Sequence, residues 1–137
     1  MKILFVCTGN TCRSPMAAAI SRDIARPGVT CSSAGIAAVE GQPASENAVL
    51  ACKEWGIDLT GHRAHKLTGA DLAQWDVFFV MSPTHGYILE RAGAPAGQIY
   101  VNGTVADPYG QDLDAYRACR DRLREEIERF LRERVDV

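Results

Sequence analysis

The chain has 137 residues and a net charge of −2, with 47% apolar and 23% charged residues. These proportions are typical of a globular chain with its own core, and the length predicts one domain spanning residues 1–137. The small negative charge gives no reason to expect nucleic acid or an anionic membrane as a partner.

The five cysteines are an odd number and show neither a CxxC motif nor the spacing of metal ligands. This usage predicts reduced thiols and argues against a disulfide framework or a zinc site. We expect neither a metal nor another cofactor. No apolar stretch is long enough to cross a bilayer, and the first apolar run is too short for a secretion signal. We therefore expect a cytoplasmic protein.

The first two elements frame a loop. The apolar run Ile3–Val6 predicts a strand that is buried on both faces, and residues 14–19, SPMAAA, predict a helix. Ser14 is a candidate cap for that helix, and Pro15 suits its first turn. The seven residues between them, 7–13, would turn backbone N–H groups toward one point beside a helix N-terminus. Such a loop is an anion-binding site.

The loop carries a thiol at one end and a guanidinium at the other. Nearby N–H donors favour the thiolate of Cys7, which is then a nucleophile, and Ser14 can donate its hydroxyl to it. Arg13 offers a planar fork that matches two phosphate oxygens. Gly9 and Asn10 are residue types that tolerate a left-handed backbone. The alternative is that Cys7 is a small core residue at a strand end.

The rest of the chain alternates strands and helices. Strands are predicted at 29–33, 77–81 and 99–101, and helices at 43–55, 69–75, 83–91 and 112–134, after a first helix that ends near Ala25. This alternation predicts an α/β class: a three-layer domain whose four-stranded parallel sheet has the flavodoxin-like order 2-1-3-4 and is flanked by helices. The loop 7–13 would then lie at the carboxyl edge of the sheet, where such folds bind ligands.

A thiolate that takes a phosphoryl group needs an acid to protonate the leaving group. Asp107 is the candidate, because Pro108 keeps its backbone extended and Tyr109 could form a wall of the pocket. The segment 107–110, DPYG, is equally typical of a simple turn. His62 could serve the site, although a lone histidine is more often a surface or core residue.

The segment 6–15, VCTGNTCRSP, resembles the signature of the low-molecular-weight protein tyrosine phosphatases, and within them most closely the bacterial protein-arginine phosphatases. The segments 33–35 (SAG), 56–58 (GID), 62–64 (HRA) and 107–109 (DPY) follow in the family's order. The resemblance therefore covers nearly the whole chain.

This resemblance implies a phosphatase that acts on phosphorylated protein side chains through a cysteinyl-phosphate intermediate. Cys7, Arg13, Asp107 and Ser14 would be its catalytic residues. The phosphoryl group and substrate would be bound by Thr8, Gly9, Asn10, Thr11, Cys12 and Tyr109. We expect a monomer whose product, inorganic phosphate, also inhibits it.

Supporting roles are implied for Ser33 and His62: His62 would hydrogen-bond with Asn10, Ser14 and Ser33 to hold the loop. Cys12 is implied to trap the oxidised Cys7 as a disulfide, although it could simply pack beneath the loop.

Three positions favour phosphoarginine as the substrate by resemblance. Thr11 stands where tyrosine-specific members carry Ile or Leu, Gly110 replaces a second aromatic, and Ser82 replaces Asp. Thr11 could also be a tolerated β-branched substitution. Phosphotyrosine is thus the alternative substrate. An arsenate reductase and a non-catalytic phosphate-binding module are further alternatives, although none of Cys31, Cys52 and Cys119 lies in the paired motif that a reductase needs.

Overall fold

The computed structural model describes residues 1–24 and 26–136. Its strands are β1 (Lys2–Cys7), β2 (Thr30–Gly35), β3 (Val77–Val80) and β4 (Ile99–Val101), all parallel, in the order β2-β1-β3-β4. The helices are α1 (Arg13–Asp23), α2 (Glu46–Lys53), α3 (Pro83–Arg91) and α4 (Leu113–Arg134). Short 3₁₀ turns occupy Asp71–Ala73 and Ala96–Gln98. The predicted fold class and strand order are confirmed.

Alternation along the central strand β1 divides the core into two layers. Ile3 and Phe5 pack into the layer that contains α1 and α4, whereas Leu4 and Val6 pack into the layer that contains Leu89 of α3. Because side chains alternate along a strand, Cys7 follows Phe5 onto the α1 side. The strand period therefore directs the thiol toward the start of α1.

The helix α4 closes one of these layers. An apolar stripe along α4 is buried, and the ring centroid of Phe130 lies 5.5 Å from that of Phe79 and 4.9 Å from that of Tyr100. The stripe consists of Tyr116, Leu123, Ile127, Phe130 and Leu131. The exposed charges of α4 pair along the helix, as between Arg124 and Glu128 at 2.9 Å. Such pairs contribute little stability, as expected for a solvated face. None of the helices within residues 1–24 and 26–136 is long and apolar enough to span a membrane.

The start of α1 differs from the prediction. The helix begins at Arg13, and Cys12 occupies the cap position without a side-chain capping bond. Ser14 therefore does not cap the helix; its hydroxyl lies 2.9 Å from the Cys7 thiol instead. The predicted helix end at Ala25 lies outside the described residues.

The helix α2 is shorter than the predicted 43–55. It begins only after Ser45, whose backbone N–H is held 2.9 Å from the carbonyl oxygen of Thr11. The backbone of Ser45 is extended, with ψ 142°, so the residues before it lie outside the helix. At the other end, Gly56 adopts φ 74° and closes the chain into a turn after Lys53.

Three further expectations need correction. The predicted helix 69–75 is reduced to the single 3₁₀ turn Asp71–Ala73. Large apolar rings favour burial, which predicts Trp55 and Trp75 as core residues; both are instead half-buried, with a cation over each ring, and the guanidinium of Arg120 lies 4.2 Å from the Trp55 ring centroid. The strand β2 continues through Gly35, beyond its predicted end at residue 33.

Gly35 matters because the loop after β1 passes directly over it. A Cβ at this position would lie 2.7 Å from the Thr8 carbonyl oxygen and 2.9 Å from the Asn10 Cβ. The backbone N–H groups of Ile36 and Ala37 bond to the carbonyls of Cys7 and Thr8 at 3.0 and 2.9 Å, so the two segments cannot easily separate. Only glycine fits this contact.

We predict that Gly35→Ala lowers the free energy of unfolding by about 1–3 kcal/mol, because the added methyl group overpacks a backbone contact. Urea unfolding measures this change. The matched control is Gly61→Ala, where a Cβ meets nothing within 4 Å and the backbone φ is not left-handed. The control should leave stability unchanged or raise it by up to about 1 kcal/mol. Equal unfolding curves for the two variants would contradict the steric account.

Candidate active site

The Cys7 thiol lies at the floor of the loop 7–13 with two hydrogen-bond partners. The backbone N–H of Asn10 points at Sγ from 3.3 Å, and the Ser14 hydroxyl oxygen is 2.9 Å away. Asn10 makes this contact possible because it is left-handed, with φ 57°. Gly9, the other residue expected to tolerate that conformation, does not adopt it.

Asn10 is bonded on every side. Its side-chain N–H donates to the Ser14 hydroxyl oxygen at 2.8 Å, and its side-chain oxygen accepts the backbone N–H of His65 at 2.9 Å. Its carbonyl oxygen accepts Nε2–H of His62 at 2.7 Å. Asn10 is fully buried, so these bonds satisfy groups that water cannot reach. They offset the cost of the left-handed backbone and fix the loop.

The Ser14 hydroxyl connects Asn10 to the Cys7 thiol. Since its oxygen accepts the amide of Asn10, its own proton can point at Cys7 Sγ, 2.9 Å away, which is closer than its other acceptor, the Ala34 carbonyl oxygen at 3.5 Å. A thiolate at Cys7 would thus accept two hydrogen bonds, from Ser14 and from the Asn10 backbone. Two donors on a buried sulfur stabilise its anionic form.

His62 supports the loop through one contact, with the Asn10 carbonyl. Burial lowers the pKa of His62, so the ring is neutral near pH 7 and donates from Nε2. The predicted direct bonds to Ser14 and Ser33 are wrong. Ser33 is buried in β2, but its hydroxyl makes no hydrogen bond with the loop among the described residues.

Arg13 is buried, and protein groups hold its guanidinium in place. One terminal nitrogen donates to the Val105 carbonyl oxygen at 3.2 Å, with a longer contact of 3.5 Å to that of Met81. The other terminal nitrogen lies 3.6 Å from Oδ2 of Asp107. Carbonyl groups just after β3 and in the loop after β4 thus help to orient the guanidinium.

Asp107 and Tyr109 stand at the mouth of this site. The segment forms the turn that was the alternative interpretation: the Tyr109 N–H donates to Oδ1 of Asp107 at 3.1 Å, and Gly110 is left-handed. The turn nevertheless brings the carboxylate to Arg13. The Asp107 side chain is 51% exposed, so the ion pair is accessible to solvent and to an incoming anion.

These groups surround one open pocket of about 260 Å³, lined by residues 7–13 together with Gln42, Asp107 and Tyr109. All predicted site residues except Ser14, Ser33 and His62 line it. Ser14 and His62 act from behind the loop. Gln42 was missed, because a glutamine in a loop of small residues carries no pattern of its own.

Cys12 is buried, but it does more than pack beneath the loop, because its thiol has two hydrogen-bond partners. Its thiol bonds to the hydroxyls of Ser45 at 3.0 Å and Tyr116 at 3.2 Å. Burial, and then the bond to Cys12, raises the pKa of Tyr116 to about 12. Neither partner was predicted, since they come from α4 and from the segment before α2.

Two histidines that the sequence left without a role also touch the loop. His65 supplies the backbone N–H that holds Asn10, and its ring lies between Glu40 and Asp71 at 3.1 and 2.9 Å. His85 places Nε2 at 2.9 Å from Oγ1 of Thr8. Only the folded chain brings these residues to the loop.

The other three cysteines lie outside the pocket and are buried. Burial raises the pKa of Cys31, and it raises the pKa of Cys52 to about 11 and that of Cys119 to about 12. These thiols are therefore poor nucleophiles at neutral pH. Among the described residues, no group of three or more His, Cys, Asp or Glu side chains could hold a metal ion.

The arrangement can bind a tetrahedral dianion in the loop, attack it with a thiolate and protonate what leaves. The N–H groups, the helix start and Arg13 supply positive potential. Cys7 supplies the nucleophile, and the carboxyl group of Asp107 is close enough to Arg13 to reach an atom attached to the bound anion.

The proteins that this chain resembles are phosphatases, which agrees with the chemistry that the site can perform. The family described as low molecular weight phosphotyrosine protein phosphatase matches residues 2–136. A protein-arginine-phosphatase of Geobacillus stearothermophilus is 40% identical over 94% of this chain and 93% of its own length. A probable low molecular weight protein-tyrosine-phosphatase, EpsP, of Ralstonia nicotianae is 37% identical over 94% of this chain and 92% of its own length.

The fold is also shared with solved structures. The arginine phosphatase YwlE, solved as a C7S mutant with a phosphorylated active site serine, superposes with a TM-score of 0.89 at 34% identity and covers 99% of both chains. With the family matching almost every residue and relatives well above 30% identity, the chain belongs to the low molecular weight phosphotyrosine protein phosphatase family.

Proposed function

We propose that this chain hydrolyses phosphorylated side chains of proteins, preferably phosphoarginine, through a phosphoryl group carried on Cys7. The observation that supports this most strongly is the Cys7 thiol itself. It is buried at the base of the loop 7–13, bonded to the Asn10 N–H and the Ser14 hydroxyl, and it faces an open pocket that Arg13 and Asp107 also line.

In the first step, the Cys7 thiolate attacks phosphorus and the bond to the substrate nitrogen or oxygen breaks. Loop N–H groups and Arg13 stabilise the charge on the transferring phosphoryl oxygens. Asp107, protonated at this stage, gives its proton to the leaving group. From the moment it binds, the phosphoryl group competes with Asp107 for the Arg13 guanidinium and so weakens the ion pair between Arg13 and Asp107.

In the second step, water attacks the cysteinyl phosphate while Asp107, now a carboxylate, takes a proton from it. The sulfur leaves as a thiolate, which the Asn10 N–H and the Ser14 hydroxyl again stabilise. The product is inorganic phosphate, which fits the same loop and should inhibit the enzyme. The phosphorylated serine of the YwlE mutant supports a phosphoenzyme at the corresponding position.

Preference for phosphoarginine is supported by Thr11, which lines the pocket. Its hydroxyl can accept an N–H of a guanidinium, whereas an isoleucine or leucine would offer only apolar contact to an aromatic ring. The similarity to a protein-arginine-phosphatase of Geobacillus stearothermophilus supports the same choice.

Phosphotyrosine is the second candidate. The exposed ring of Tyr109 at the pocket mouth could stack against an aryl ester, and EpsP is named as a probable tyrosine phosphatase. An arsenate reductase is less well supported, because burial disfavours the thiolates of Cys31, Cys52 and Cys119.

A cytoplasmic monomer that requires no cofactor remains our expectation.

The direct test compares kcat/KM for a phosphoarginine-bearing protein and a phosphotyrosine peptide. We predict that phosphoarginine is preferred and that Thr11→Ile lowers its kcat/KM by about 10- to 100-fold, through loss of a hydrogen bond to a charged group. Thr11→Ser, which keeps the hydroxyl, is the matched control. Cys7→Ser should abolish turnover of both substrates. A parent enzyme that prefers the aryl ester would refute the phosphoarginine assignment, and one as inert as Cys7→Ser would refute catalysis.

The loss of rate on removing the general acid, Asp107, should depend on the leaving group. Asp107→Asn is predicted to slow hydrolysis of esters with poor leaving groups by about 10²–10⁴-fold more than that of p-nitrophenyl phosphate, because an activated phenolate departs without a proton. Single-turnover release of the alcohol measures this step. Asp112→Asn, which alters a helix cap outside the pocket, serves as the control for charge and stability. Equal losses across both types of ester would assign the acid to another residue.

Oxidation should be reversible through Cys12. Peroxide converts the Cys7 thiolate to a sulfenic acid, and attack by the Cys12 thiol would release water and form a disulfide. The Cys12 thiol must give up its bonds to Ser45 and Tyr116 to do so. We predict that, after the same peroxide treatment, dithiothreitol restores more activity to the parent than to Cys12→Ser, in which Cys7 oxidises further to a sulfinic acid that dithiothreitol does not reduce.

Mass spectrometry of the oxidised parent should find the Cys7–Cys12 peptide. The matched control is Cys31→Ser, which changes a buried thiol outside the pocket and should recover like the parent. Equal recovery by Cys12→Ser, with no such peptide, would rule out the protective role.

A further inference from the structure

His85 has an unusual environment for a histidine. It lies in the first turn of α3, is 6% exposed, and has Nε2 2.9 Å from Oγ1 of Thr8. Its other ring nitrogen, Nδ1, is buried and finds no partner within residues 1–24 and 26–136. Buried ring nitrogens normally have partners, so this one indicates where the ring carries its proton.

A buried N–H with no acceptor is rarer in folded proteins than a buried acceptor with no donor. The neutral ring that avoids such an N–H has its proton on Nε2 and a bare lone pair at Nδ1. Burial, reinforced by the charge of Arg13 against a smaller opposing effect of Asp107, lowers the pKa of His85, so Nδ1 stays unprotonated near pH 7. Nε2–H therefore donates to the Thr8 hydroxyl oxygen.

This tautomer determines what the Thr8 hydroxyl can do. Its oxygen already accepts a hydrogen bond, and no other side-chain or backbone partner among the described residues takes its proton. Thr8 is exposed and lines the same pocket as Cys7 and Arg13. Its O–H is consequently available to a group bound there.

We propose that the Thr8 hydroxyl is an additional donor to the bound phosphoryl group, and that His85 is the positioning residue that orients it. This rests on the proposed phosphatase function. The backbone N–H groups of the loop need no orienting partner, whereas a hydroxyl rotates freely unless something holds its oxygen. The bond from His85 removes that freedom before substrate binds, and a donor already in place stabilises developing charge without reorganisation.

The test measures inhibition by inorganic phosphate and kcat/KM for p-nitrophenyl phosphate. Thr8→Val should lower kcat/KM and phosphate affinity by about 10- to 100-fold, the range for a hydrogen bond to a charged group. Thr8→Ser should keep most of both. Thr84→Val makes the same chemical change beside His85 on the exposed surface of α3 and should behave like the parent.

The role of His85 is tested through Thr8. His85→Leu should weaken phosphate binding in the parent and have little further effect in the Thr8→Val background, whereas His85→Gln, which retains an N–H donor, should restore part of the loss. Equal effects of His85→Leu in both backgrounds would make it a purely structural residue and overturn its positioning role. If His85→Leu does not fold, the comparison of Thr8→Val with Thr8→Ser still decides whether the hydroxyl acts.

Failure of this inference differs from failure of the proposed function. An active parent whose Thr8→Val variant binds phosphate and turns over substrate equally well would refute the inference alone. A parent that binds phosphate but does not hydrolyse p-nitrophenyl phosphate would refute the function, and the phosphate affinities would still test the Thr8 hydroxyl.

Discussion

The left-handed backbone at Asn10 is the constraint on which the site depends. It turns the Asn10 N–H toward the Cys7 sulfur, and three groups of Asn10 are bonded by Ser14, His62 and the His65 backbone. The loop cannot relax to an ordinary right-handed conformation without breaking those buried bonds. The chain thereby holds two donors, the Asn10 N–H and the Ser14 hydroxyl, beside the thiol before any phosphoryl group arrives.

The sheet places the loop where these bonds can form. Because β1 lies between β2 and β3 in the order β2-β1-β3-β4, the carboxyl ends of both neighbouring strands lie beside its own. Gly35 of β2 lets the loop backbone pass at close range, and the carbonyl of Met81, just after β3, lies near Arg13. The positions of nucleophile and cation thus both follow from the parallel topology.

Much of this was predictable from local sequence. The apolar run before Cys7, the helix formers after it and the types of residue between them were enough to predict strand, loop and helix. The resemblance to the phosphatase family was needed to favour Asp107 as the general acid, because its local segment by itself indicates only a turn. Element boundaries were less predictable, as at α2, which starts later than predicted because the backbone of Ser45 is extended where that residue bonds to Thr11.

The supporting residues could not be predicted, and the reason is physical. His65 contributes a backbone N–H, which every residue except proline possesses, so its identity carries no information. Tyr116 occupies the apolar stripe of α4 and looks like an ordinary core residue until the fold brings its hydroxyl to Cys12. His85 gains significance only from its contact with Thr8, 77 residues away in sequence.

The central claim is that the phosphoryl group passes through Cys7. The most direct measurement is to mix the Asp107→Asn variant with p-nitrophenyl phosphate, quench at short times and locate bound phosphate by peptide mass spectrometry. Without the carboxylate that activates water, the second step becomes slow while the first remains fast. The account predicts a phosphoryl adduct on the peptide containing Cys7, formed in step with a burst of p-nitrophenol. Turnover without any adduct, or an adduct on a different residue, would contradict it.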